Sequence, residues 1–103
     1  MSSALMSALA KEIAEEKAQG LGRAERIMAD ALEKYRALAE TPAHSRCERE
    51  KLLWELATSL ASFIIQREAC GLTDTDRVLK LYGVPAEAIA RLGAKPRAAA
   101  AAC

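Results

Sequence analysis

The sequence predicts an all-α protein: a small helical bundle with a long central third helix and a short C-terminal bihelical corner. Three observations carry that prediction. Alanine is abundant while β-branched residues are scarce, a composition that favours helix over sheet. Apolar residues recur at steps of three and four rather than in alternation. Glycine and proline fall between those periodic stretches, where helices stop.

The first helix is expected over residues 3–19, where Leu5, Leu9 and Ile13 stand four apart with Met6 beside them. Gly20 and Gly22 then offer a stop or a sharp bend. A second helix, over 23–40, carries Ala24, Met28, Ala31, Tyr35 and Leu38 on one seam and ends at Thr41-Pro42, because a residue before proline is pushed out of the α region. In "SRCE", Ser45 and Glu48 form a capping box that starts the third helix. That helix should run to about Cys70, with Gly71 as its left-handed terminator.

The front of the third helix, with Leu52, Leu53, Leu56, Leu60, Phe63 and Ile64, is core. Its back carries a second, narrower apolar line of Cys47, Trp54, Ala61 and Ile65. A helix apolar on two sides usually has partners on both. Arg67 falls along the front face, so its charge needs an acidic or carbonyl partner. Thr73 and Asp76 resemble a weaker capping box ahead of a short helix to Tyr82. Gly83 ends that helix, Pro85 suits the first turn of the next, and Gly93 closes it. Residues 1–93 thus read as one helical domain and 94–103 as a flexible Ala-rich tail, with no apolar bulk to hold it down.

With 103 residues the chain can bury a core without disulfide staples. A formal charge of +1 gives no field to steer it toward nucleic acid or acidic membranes. No apolar run approaches the roughly 20 residues needed to span a bilayer, and the N-terminal stretch makes a poor signal peptide. Three cysteines, Cys47, Cys70 and Cys103, cannot all pair within one chain. Together these favour a cytoplasmic protein with free thiols.

Three candidate chemistries follow. Residues 73–93 match a helix-turn-helix moderately, and Arg77, Lys80, Arg91, Lys95 and Arg97 are the cations that would touch DNA. Against that, Leu79 stands where a small residue is usual, and Glu87 would be repelled by phosphate. Cys47, in the first turn of the third helix between Arg46 and Arg49, is the candidate reactive thiol. His44 with Cys47, Cys70 and Cys103 lacks the close cysteine pairs of a zinc site, so no metal is expected. Nothing resembles a phosphate-binding loop, a dinucleotide fingerprint or a catalytic triad, so neither an enzyme nor a cofactor is expected.

Two stretches, "EIAEEKAQGLGRAERIMADALEKYRAL" (12–38) and "FIIQREACGLTDTDRVLKLYGVPAEAIARLG" (63–93), resemble a family of small helical proteins of unassigned function from bacteria, particularly alphaproteobacteria. The resemblance implies a cytosolic bacterial protein and architectural roles for Gly71, Gly83 and Pro85. It carries over no catalytic or ligand residue.

The function expected from the sequence is therefore a non-enzymatic helical interaction module that self-associates as a homodimer through Cys47, Trp54, Ala61 and Ile65. A DNA-binding regulator built on residues 73–93 is the alternative.

Overall fold

The computed structural model describes residues 3–94. Four helices follow one another: α1 Ser3–Ala39, α2 Arg46–Ala69, α3 Thr75–Tyr82 and α4 Ala86–Ala90. Among the described residues there is no strand, so the all-α class is as expected. The tail expected to be flexible falls, from residue 95 onward, outside the described residues.

The first departure is α1. The two helices expected on either side of Gly20 and Gly22 are one helix of 37 residues. A glycine in a helix interior costs only about 1 kcal/mol relative to alanine, whereas starting a second helix repeats the nucleation penalty. Gly20 also has a packing role: a Cβ there would stand 3.1 Å from Gln66 Oε1, so its bareness lets α2 approach. The longest helix is consequently α1, and not the third helix of the sequence reading, which is the 24-residue α2.

The start of α2 is as read from the sequence: the Glu48 amide donates to Ser45 Oγ at 3.0 Å. It ends in a Schellman turn, with Gly71 at φ +73°, its amide on the Glu68 carbonyl at 2.9 Å and the Leu72 amide on the Arg67 carbonyl at 3.0 Å. Gly83 ends α3 in the same way, at φ +69°, with the Val84 amide on the Leu79 carbonyl at 3.1 Å. The Thr73–Asp76 capping box does not form. Asp74 takes the N-cap position of α3 in a left-handed conformation, with no side-chain cap. Pro85 stands one position earlier than expected, as the N-cap of α4 at φ −66°.

α1 and α2 pack against each other over most of α2, and the α3–α4 corner folds across them at two points. Met28 and Ala24 meet Leu60, Phe63 and Leu79 in one cluster. Leu32 and Tyr35 meet Leu53, Leu56 and Ala88 in the other, and Tyr82 and Val84 touch both. The Phe63 and Tyr82 rings meet edge to face, 6.1 Å between centroids. Full burial of each large side chain here contributes about 1.5–3 kcal/mol, which sets the corner as part of the core and not as an appendage. Arg67 finds the carbonyl partner it needs: Nη2 donates to the Thr73 carbonyl at 2.7 Å, and the guanidinium lies 5.9 Å from the Phe63 ring centre.

Candidate interaction site

Two surfaces stand out, one polar and closed, the other apolar and open. The polar one is a clamp that pins α4 to the bundle. Tyr35, buried at the far end of the α1 seam, must find a partner for its hydroxyl, and donates to Glu87 Oε2 at 2.9 Å. Arg49, one turn into α2, donates to the Tyr35 hydroxyl at 3.2 Å and pairs with Glu87. Arg91 reaches the other way, donating to both oxygens of Glu50 at 3.0 and 3.1 Å. Its guanidinium also lies 5.5 Å from the centre of the Trp54 ring. A third arginine, Arg36 of α1, donates to the carbonyls of Tyr82 and Gly83 and so holds the corner's turn.

The electrostatics follow from these contacts. The hydrogen bond from Tyr35 holds Glu87 below the usual carboxylate range, with Arg49 and Arg91 adding to it against a contribution from desolvation. Burial, and then the bond to Glu87, push the Tyr35 hydroxyl up. Tyr82 is raised too, first by its hydrogen bond to Glu25. Both carboxylates of the clamp, Glu87 and Glu50, are engaged by arginines, an arrangement that holds the elements together.

The clamp decides where the sequence-predicted residues lie. The back stripe of α2 is not one continuous surface. Trp54 is half-buried beneath Arg91, Ala61 is half-buried, and Ile65 is 61% exposed. Cys47 is half-buried and disulfide-bonded, so the expectation of free thiols fails there and is met at Cys70. Thiolate chemistry at Cys47 would first need a reductant. Of the cations assigned to DNA, Arg91 is turned inward onto Glu50 and Trp54. Arg77 and Lys80 are exposed and line an open depression with Asp74, Thr75 and Asp76, whose two carboxylates set a negative charge beside them. Lys95 and Arg97 lie outside the described residues. His44 Nδ1 donates to the Thr41 carbonyl, 2.8 Å away. Among the described residues no three His, Cys, Asp or Glu side chains converge as a metal site would require.

The apolar surface was legible in the sequence as a stripe, but its exposure was not. α2 ends beside α1 at the level of Lys17, where Cys70 Sγ donates to the Lys17 carbonyl at 3.5 Å. The turns of α1 before that point run on past the end of α2 by roughly 20 Å, at 1.5 Å per residue. Every residue from 3 to 19 is exposed. Leu5, Met6, Leu9 and Ile13 therefore stand in solvent, each between 41% and 55% exposed. At ~100° per residue, Met6 and Ile13 project within ~60° of the direction of Met28, while Leu9 and Leu5 turn ~100° and ~140° from it, so the stripe leaves the seam near Ile13 and winds around the arm. We call residues 3–16 the arm.

Residues 2–100 match a family of unknown function, DUF6665, and the chain belongs to that family. Comparison with the curated proteins and with the solved structures gives no match. No helix among the described residues is long and apolar enough to cross a membrane.

Proposed function

We propose that this member of DUF6665 is a non-enzymatic helical interaction module whose arm binds a second copy of the chain. The single observation that carries the reading is the apolar stripe of the arm, raised clear of the bundle on a helix that the bundle itself anchors. Monomeric proteins seldom hold a run of large apolar side chains away from their own core, and such runs mark contact sites. The non-enzymatic part is supported by the clamp, where the grouped carboxylates and the tyrosine are committed to arginine partners. A cytoplasmic setting belongs to the same proposal; the free thiol of Cys70 supports it, and the disulfide at Cys47 weighs against it.

The interface therefore moves from the stripe containing Trp54 to the arm. Burying a Leu, Ile or Met side chain completely contributes about 1.5–3 kcal/mol, so the half still in water on each leaves about 1 kcal/mol to be gained. Across a symmetric pair that comes to roughly 8 kcal/mol, the same order as the 4–15 kcal/mol cost of association. The pair is accordingly one that forms and separates with concentration.

Light scattering over a concentration series, in reductant to exclude disulfide-linked species, tests this. The wild-type mass should climb from one chain toward two. Leu9→Glu, which puts a charge in the middle of the stripe, should hold the mass at one chain and leave the thermal transition of the bundle in place. A wild-type mass that stays at one chain throughout, or a Leu9→Glu variant that pairs as well as wild type, would sink the proposal.

A further inference from the structure

Resting on the self-association proposed above, we infer that the two arms pair antiparallel about a two-fold axis at Leu9, each N-terminal turn lying beside the partner's Glu16. Three features bear on it: the first places the crossing at Leu9, and the other two set its direction.

The first is the pattern of the stripe. Leu5, Leu9 and Ile13 are separated by four residues throughout, so the line winds around the helix by ~40° per step and does not keep to a heptad seam. Ridges of this spacing interlock when two helices cross at about −50°, with contact concentrated around one central residue. Leu9 is the middle of the three. An antiparallel crossing there sets Leu9 on the partner's Leu9 and Leu5 on the partner's Ile13. Leu5, Leu9 and Ile13 then each meet another large apolar side chain, while Met6 falls opposite the partner's Glu12.

The second is charge. The first turn of α1 contains no acidic residue, so the positive end of its helix dipole has no carboxylate of its own. Glu16 projects within ~20° of Leu9, two turns further along, and is exposed. Antiparallel pairing carries each Glu16 to the opposite arm's first turn, where a carboxylate is favoured. Parallel pairing would set Glu16 against the partner's Glu16 and bring the two positive helix ends together.

The third is bulk. The molecule is 62 Å long and 28 Å across, while the arm clears the end of α2 by only roughly 20 Å. In the antiparallel pair the two bundles lie at opposite ends and do not compete for space. A parallel pair would bring them side by side, at the level of Ile27, Arg23 and Arg26, whose two arginines on each chain repel their counterparts.

Disulfide trapping in the full chain distinguishes the orientations, with wild type giving the background from the native cysteines. A disulfide joins residues whose Cα atoms lie within about 7 Å. Leu9→Cys should link to itself at least tenfold faster than background. Leu5→Cys alone should not, because its mate lies roughly 12 Å away along the axis. Leu5→Cys mixed with Ile13→Cys should link again, as a heterodimer.

Light scattering on the same samples separates this inference from the reading beneath it. If the mass stays at one chain, the self-association itself fails. If the mass is that of a dimer but Leu5→Cys links to itself as fast as Leu9→Cys does, the arms are parallel and the inference is overturned. A dimer with no linkage at any of the three positions overturns it as well, and places the contact on another face.

Discussion

Glu87 is the residue on which the corner's attachment turns, because it accepts from Tyr35 and pairs with Arg49 at once. Its carboxylate is held below the usual range, so the folded chain binds that proton less readily than the unfolded one. The stabilisation is therefore complete above the ordinary carboxylate pKa and is lost as pH falls through the depressed value. Melting curves between about pH 7 and pH 3 should show wild type above Glu87→Gln at neutral pH and the two converging toward acid. A difference that holds constant across the range would mean the charge of Glu87 plays no part.

Trp54 makes a second case at the same scale. With Arg91 over its ring and half its surface covered, Trp54→Ala should cost about 2 kcal/mol of stability, around half the loss of a fully buried tryptophan. It should leave the dimerisation curve where it was. A variant that melts normally but no longer pairs would return the interface to the back of α2.

Gly71 and Gly83 share a positive φ but differ in what surrounds them. A Cβ at Gly71 meets nothing within 4 Å, whereas one at Gly83 would sit 2.8 Å from Arg36 Nη2. Both alanine variants lose about 1–2 kcal/mol to the left-handed backbone. Gly83→Ala should lose more, since Arg36 must also release the turn it holds, and chemical denaturation of the pair measures the excess.

At the scale of elements, the informative glycines are the two inside α1. Gly22 has only the Arg26 guanidinium near its missing Cβ, at 3.6 Å, an ordinary contact. Gly22→Ala should therefore stabilise the chain by about 0.5–1 kcal/mol, read from its melting temperature. Gly20→Ala should gain less, because Gln66 must move aside.

These positions also explain which parts of the fold the sequence discloses. Ser45, Gly71 and Gly83 were readable because a cap or a terminator is settled within four or five residues of chain. Gly20 and Gly22 misled because the same residue type that ends a helix can lie inside one when packing outweighs about 1 kcal/mol. The box at Thr73 and Asp76 failed for a related reason: with Asp74 left-handed, the side chain of Thr73 is not in place to cap. The clamp was invisible because its partners are 14 to 52 residues apart, and spacing rules do not reach that far. One signal was present nonetheless. A tyrosine on a core seam implies a polar partner, and Glu87 had been read only as an outward charge.

For the whole molecule, the division is between a bundle closed at one end by ion pairs and an arm left open at the other. The arm's stripe was legible from its spacing alone. Its availability was not, because that depends on α2 ending at the level of Lys17, a fact of tertiary packing. The sequence reading and the structure direct the proposed self-association to different surfaces, the back of α2 in the one case and the arm in the other. Trp54 drew attention as a large aromatic on a second face, yet an arginine 37 positions later covers it.

The unbroken α1 has a last consequence, which concerns phase. Since one helix forms both the core seam and the arm, the bearing of the stripe relative to the bundle is set by counting residues between them. Inserting one residue between Ile13 and Lys17 would rotate the arm by ~100° and shift it ~1.5 Å, while the contacts of α1 with the bundle, which begin at Lys17, stay in place. Inserting seven would bring the bearing back to within ~20° and lengthen the arm by ~10 Å. The helix thus works as a keyed shaft: what it presents, and in which direction, is written in the number of residues between the stripe and the seam.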